Sequence, residues 1–102
     1  MTLAVYQATR VFPEEEVYGL TSPMRRASPS IPDNIAEGCC RSGDAEFRRF
    51  LYYAAGSTSG LEYHAVLAKD LGCLDEQQYR VPNDQLSEVK RMLITSIEKL
   101  KA

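Results

Sequence analysis

No stretch of this sequence approaches the roughly 20 apolar residues that a helix needs to cross a bilayer. The opening Met-Thr-Leu-Ala-Val-Tyr-Gln has neither the basic nor the apolar region of a secretory signal. A cytoplasmic location without membrane association is therefore expected. Cysteine is scarce: Cys39, Cys40 and Cys73 make an odd count of three, which argues against a disulfide framework and suits a reducing compartment. Adjacent Cys39 and Cys40 are read as ordinary thiols. Histidine occurs once, at His64. With so few thiols and imidazoles at short spacing, one chain cannot assemble a zinc site, and no metal or cofactor is expected. There is no glycine-rich phosphate loop, no His-Glu-x-x-His and no calcium loop, so the chain does not read as an enzyme. Net charge is also small, −2 from 14 acidic and 12 basic residues. No strong global field draws the chain to nucleic acid, and any such contact must come from a local patch or from assembly.

Alternating β-patterns, fixed-period repeats and low-complexity tracts are missing as well. What remains is helical periodicity. The 102 residues suit one domain, residues 1–102, with an ordinary hydrophobic share of 44% and charged share of 25%. Leu3, Val5, Tyr6 and Val11 predict a short first helix over 2–11, ended by Phe12-Pro13. Pro13 suits the first position of a second helix, with Glu14, Glu15 and Glu16 at its positive dipole end and Phe12 stapling onto Val17 or Tyr18. Val17, Leu20, Met24 and Ala27 give that helix one buried face, which Pro23 should bend or shorten.

Residues 28–38, Ser-Pro-Ser-Ile-Pro-Asp-Asn-Ile-Ala-Glu-Gly, carry two prolines where a helix should stop. Ile31 and Ile35 nevertheless share one helical face, and Ser30 with Asp33 has the spacing of a capping box. The reading is a helix that restarts at Ser30, with Ile31 and Pro32 in its first turn. Asn34 and Glu37 then follow where a kink leaves backbone groups in need of partners.

After Gly38, Ser42 or Asp44 can cap a third helix. Its apolar positions Phe47, Phe50, Leu51, Ala54, Thr58, Leu61, Ala65 and Ala68 recur at bundle spacing. Gly72 is its natural left-handed stop. Gly56 and Gly60 lie one turn apart inside it, at about 1 kcal/mol each relative to alanine. They indicate either tight packing within the bundle or a contact between subunits. Asp75 caps a short turn, Pro82 interrupts, and Asn83 or Asp84 starts the fourth helix, with Leu86, Val89, Leu93, Ile97 and Leu100 inward. The expected fold is all-α: an antiparallel up-down-up-down four-helix bundle with a shortened first helix and a proline-interrupted second.

Leu20-Thr-Ser, Arg25-Arg26-Ala and Ser30-Ile-Pro-Asp-Asn-Ile-Ala-Glu-Gly, followed by Phe47-Arg-Arg-Phe-Leu-Tyr-Tyr-Ala-Ala-Gly-Ser, Leu61-Glu and Leu67-Ala-Lys-Asp-Leu-Gly, resemble one bacterial family over the chain from about Tyr6 onward. These are the four-helix bundle proteins first described as 23S rRNA intervening-sequence proteins. The accessory variability determinant proteins of diversity-generating retroelements belong to the same group. The resemblance implies an antiparallel bundle that forms a ring-like homopentamer. In the retroelement relative it also implies a ring that binds a reverse transcriptase and nucleic acid through a basic surface. It makes Ser30, Ile31, Pro32, Asn34, Ile35, Glu37 and Gly38 a structural family motif. The present chain departs from the pattern in its short first helix, in Pro23 and Pro29, and in its acidic balance.

The function expected is a non-enzymatic oligomeric scaffold or adaptor whose first partner is itself, with a protein encoded nearby as a further candidate. The exposed apolar face left by a short first helix favours such assembly. The alternative is a nucleic-acid-binding accessory protein. Arg25, Arg26, Arg41, Arg48 and Arg49 are the basic concentration, and guanidinium forks suit the phosphates of RNA or single-stranded DNA. Tyr52 and Tyr53 could stack on unpaired bases. Structural ion pairs are the favoured reading of the same arginines. Asn34 and Glu37 are read as bracing the Pro32 interruption rather than as acid and base, Glu62 as an arginine partner, and His64 as a surface or packed residue.

Overall fold

A computed structural model describes residues 2–10, 12–14 and 17–101, and the regular secondary structure in this span is all helical. Helix α1 covers Thr2–Thr9, a short π-helical turn Val17–Thr21 follows, and α2 (Ser22–Cys39), α3 (Asp44–Asp70) and α4 (Glu76–Lys101) complete the bundle. The shortened first helix is present: α1 has 8 residues against 18, 27 and 26 for the others. It ends where Thr9 turns its hydroxyl back onto Val5 O at 2.8 Å and Phe12 N bonds Thr9 O at 3.0 Å. Phe12 is buried, but the side chains of Val17 and Tyr18 fall outside the described residues, as do Val11, Glu15 and Glu16.

The interruption in the second helix falls earlier than expected. Pro23 stands in the first turn of α2, directly after the π-helical turn. A proline ring clashes with the carbonyl four residues back, here that of Gly19, and a widened turn moves that carbonyl aside. The restart expected at Ser30 does not occur. Pro29 and Pro32 lie inside one continuous α2. Each interior proline costs about 3 kcal/mol. Leu20, Met24 and Ile31, all exposed by 3% or less, each contribute about 1.5–3 kcal/mol by burial. Their shared face keeps the helix in register despite the two missing donors.

Helix α3 matches the expected pattern, burying Leu51, Ala54, Thr58, Leu61, Ala65 and Ala68. Neither Ser42 nor Asp44 caps it; the cap position is Gly43 at φ 92°, a conformation costly for any residue with a Cβ. Asp44 and Glu46 instead place charge in the first turn. The helix ends as expected at Gly72 (φ 82°). The amides of Gly72 and Cys73 bond Lys69 O at 3.0 Å and Ala68 O at 2.8 Å, the paired bonds of a Schellman motif.

Helix α4 starts at Glu76, not at Asn83 or Asp84, and Pro82 sits buried within it. Asp75 and Gln78 explain this early start. Asp75 Oδ1 accepts from Gln78 N at 2.7 Å, and Gln78 Oε1 accepts from Asp75 N at 2.9 Å. That reciprocal box holds the first turn firmly enough to carry the helix past the proline.

The joints of four and five residues between α2, α3 and α4 force reversals. Contacts show the antiparallel result. Gly38 at the end of α2 meets Phe47 and Phe50 near the start of α3, while Ser30 and Ser57 hydroxyls share a 2.9 Å hydrogen bond. Across α3 and α4, Arg48 reaches Leu100 O at 3.0 Å and Lys90 pairs with Glu62 at 3.0 Å. The buried residues form one cluster, to which α1 adds Val5.

Candidate functional site

The five arginines singled out in the sequence do not form one patch. Arg25, at the start of α2, donates from Nε to Thr9 Oγ1 at 2.8 Å and lies 4.5 Å from the Tyr6 ring centroid, so it tethers α1. Arg26 is exposed beside it. Arg48 is half-buried against the last turn of α4, where its positive charge meets the negative end of that helix. Only Arg41 and Arg49 come together. Their guanidinium groups lie 5.1 and 5.4 Å from the Phe50 ring centroid. Phe50 meets Tyr53 edge to face at 5.5 Å, and Arg49 also lies 5.9 Å from Tyr53. Arg25 and Arg41 are 16 residues apart, about 24 Å at 1.5 Å per residue.

This arginine–aromatic patch at the α2–α3 joint is partly neutralised. Arg41 pairs with Glu37 and Arg49 with Glu46, all four side chains being substantially exposed. Such surface pairs hold by about 0–1 kcal/mol and can yield to a phosphate. Tyr52 does not join the patch; it faces Lys101 on α4.

Within the proline motif, Asn34 donates to Ser30 O at 2.8 Å and Ser30 Oγ at 3.0 Å. It bonds one turn back on its own helix, at Ser30 rather than at the Ser28 carbonyl four residues before Pro32. Glu37 does not brace the helix backbone, because its carboxylate goes to Arg41 at the surface. Ile31 is buried, Ile35 half-buried and Pro32 exposed. Glu62 pairs with a lysine, Lys90, rather than an arginine. His64 is held by Gly60 O at 2.8 Å and stacks edge to face on Tyr63, which fits a packed residue. Cys39 and Cys40 are exposed, and among the described residues no cluster of three metal-binding side chains forms.

The glycines divide in a way the sequence reading did not anticipate. A Cβ on Gly56 or Gly60 would meet nothing within 4 Å, so neither allows close packing inside the bundle. Gly38 does: a Cβ there would lie 2.9 Å from both Phe47 Cδ1 and Phe50 Cβ. The signal available in sequence was the glycine at the end of α2 facing two phenylalanines across a short joint.

A second feature lies between α2 and α4. Beside the described residues of α1, the cleft between α2 and α4 holds a groove of about 270 Å³. Ile35 forms one wall, Val89 and Met92 the other, and Phe47, Leu51 and Leu93 the floor.

A family model described as the 23S rRNA-intervening sequence protein matches residues 1–95. The chain belongs to that family. A solved structure shares the fold, a protein of unknown function from the S23 ribosomal protein family of Bacteroides thetaiotaomicron VPI-5482. It superposes with a TM-score of 0.83 at 23% identity, covering 94% of this chain and 87% of that one. Comparison with curated proteins returns no match. The family member described here thus has the all-α bundle of its structural neighbour, and no helix among its described residues is long and apolar enough to cross a membrane.

Proposed function

We propose that this protein is a non-enzymatic helical-bundle oligomer, a cytoplasmic homopentamer serving as scaffold or adaptor. The open apolar groove between α2 and α4 is the observation that supports the reading. A chain of 102 residues has little core to spare, and a bare apolar cleft is stabilised by being covered. Sedimentation velocity at micromolar concentration tests it: an assembly near five times the chain mass of 11.4 kDa is expected, and a compact monomer overturns it.

A second reading rests on Arg41, Arg49, Phe50 and Tyr53. Guanidinium forks beside the half-buried Phe50 and the exposed Tyr53 suit a nucleic-acid-binding accessory protein that holds phosphates and stacks on unpaired bases, and an oligomer would multiply a weak patch. Salt-titrated binding to structured RNA and to single-stranded DNA tests it. Binding at low salt that falls with rising salt, and is lost in Arg41→Ala/Arg49→Ala, is expected; undetectable binding at low salt, or binding indifferent to the substitutions, overturns it.

A further inference from the structure

We propose that Cys39 and Cys40 form a peroxide-sensitive switch that unwinds the end of α2 when the two thiols join. Neither function proposed above uses these residues, and the switch depends on neither. Both cysteines are exposed. They close α2, Cys39 as its last residue and Cys40 at the cap position. Gly38, wedged against Phe47 and Phe50, comes just before them. Arg41 of the arginine–aromatic patch comes just after.

The third thiol cannot reach either of them within one chain. Cys73 lies beyond the far end of α3, whose 27 residues span about 40 Å. Oxidation by hydrogen peroxide therefore has one intramolecular outcome. One thiolate attacks a peroxide oxygen and the O–O bond breaks. The departing hydroxide takes up the thiol's proton and leaves as water, and the sulfur becomes a sulfenic acid. The neighbouring thiol attacks that sulfur and expels its hydroxyl as a second water, leaving the Cys39–Cys40 disulfide. The sulfurs together give up two electrons, and the two peroxide oxygens take them.

A bond between neighbours does not fit the helix. Adjacent Cα atoms lie about 3.8 Å apart across a trans peptide, short of the roughly 4.4–6.8 Å that disulfides ordinarily span. Successive helical side chains also diverge by about 100° and do not face each other. Closing the ring must turn the backbone of Cys39 and Cys40 out of its helical conformation. The bonds at stake are those that finish α2. Cys40 N donates to Glu37 O at 3.2 Å, and Arg41 N donates to Gly38 O at 3.2 Å. With them goes the seat of Arg41 beside Glu37 and over the Phe50 ring. The strain that resists closure also makes the bond easy to reduce, so a small dithiol restores the helix.

Peroxide treatment of the whole protein tests the switch. A small excess of hydrogen peroxide should give a chain lighter by two hydrogens, its bond mapped to Cys39–Cys40 by mass spectrometry of an unreduced digest. Amide exchange should then lose protection at Cys40 and Arg41 while α4 keeps its own, and dithiothreitol should reverse both changes. Cys39→Ser and Cys40→Ser, each at an exposed position, should stop at a sulfenic acid that dimedone traps. Their Arg41 amides should stay protected. Thiols left intact by the peroxide, disulfides that join two chains, or sulfinic acid in place of the bond overturn the switch. So does a Cys39–Cys40 bond that leaves the Cys40 and Arg41 amides protected.

Discussion

Gly38 of α2 packs so closely on Phe47 of α3 that a Cβ at position 38 would lie 2.9 Å from the ring and as close to Phe50 Cβ. That approach closes the α2–α3 end of the bundle, where Phe50 also supports the arginine–aromatic patch. Gly38→Ala should therefore destabilise the fold by about 1–3 kcal/mol through overpacking. Gly56→Ala, in open space, should stabilise it by about 0.5–1 kcal/mol through helix propensity. Urea denaturation of both variants checks the opposite signs; equal effects would remove the distinction drawn between these glycines.

Arg25 holds α1 through the Thr9 hydroxyl and the Tyr6 ring. A hydrogen bond to a charged group contributes about 1.5–3 kcal/mol. Arg25→Ala should accordingly loosen α1 while α3 remains intact. Native-state hydrogen exchange gives the readout, with faster exchange confined to the α1 amides. Uniform acceleration across the chain would contradict the local tether.

The Asp75–Gln78 box begins α4 ahead of Pro82. Asp75→Ala should cost about 0.5–2 kcal/mol and selectively unwind residues 76–81, leaving the helix to start near Asn83. Secondary chemical shifts for residues 76–81 measure this. Helical shifts retained there would show that burial of Pro82, not the cap, carries the turn.

Lys69 and Lys101 supply a pH dependence. The Lys69 ammonium bonds Glu76 across the α3–α4 joint, and this contact, ahead of the general attraction of that carboxylate, pushes its pKa up. Lys101 is pushed up first by Tyr52 and then by Glu98. A lysine raised on folding adds stability at pH values below its unfolded value, and that stability is lost as pH climbs through the folded value. The stability difference between wild type and Lys69→Met should therefore be flat at neutral pH and shrink above about pH 10.4. Both lysines are solvent-exposed, so screening keeps the effect small. A difference growing with alkalinity would reverse the assignment.

Much of the fold was legible because burial imposes period. The inward residues of α3 and the line Leu86, Leu93 and Ile97 of α4 follow from spacing alone. Proline misled the reading at Ser30 and Asn83, since a single proline penalty competes with burial summed along a whole helix face. Capping did so at Gly43, where backbone conformation took the place of a side-chain cap. The separate places of the arginines were not legible, for a different reason. Arg25, Arg48 and Arg49 look alike in sequence, and only the third dimension sends one to α1, one to the end of α4 and one to Phe50.

Helices α2, α3 and α4 each pack on the element that follows or precedes them in the chain, across joints of a few residues. α1 packs on α2 through Arg25 as well, but its cleft also needs a wall from α4 roughly 70 residues later, as Ala8 and Val81 show. Closing so long a loop is entropically slow compared with zipping neighbouring hairpins. During synthesis α1 should emerge first and dock last, after α4 has left the ribosome. On heating it should be the first wall to leave, so for part of its life the chain is a three-helix hairpin with the whole cleft bare.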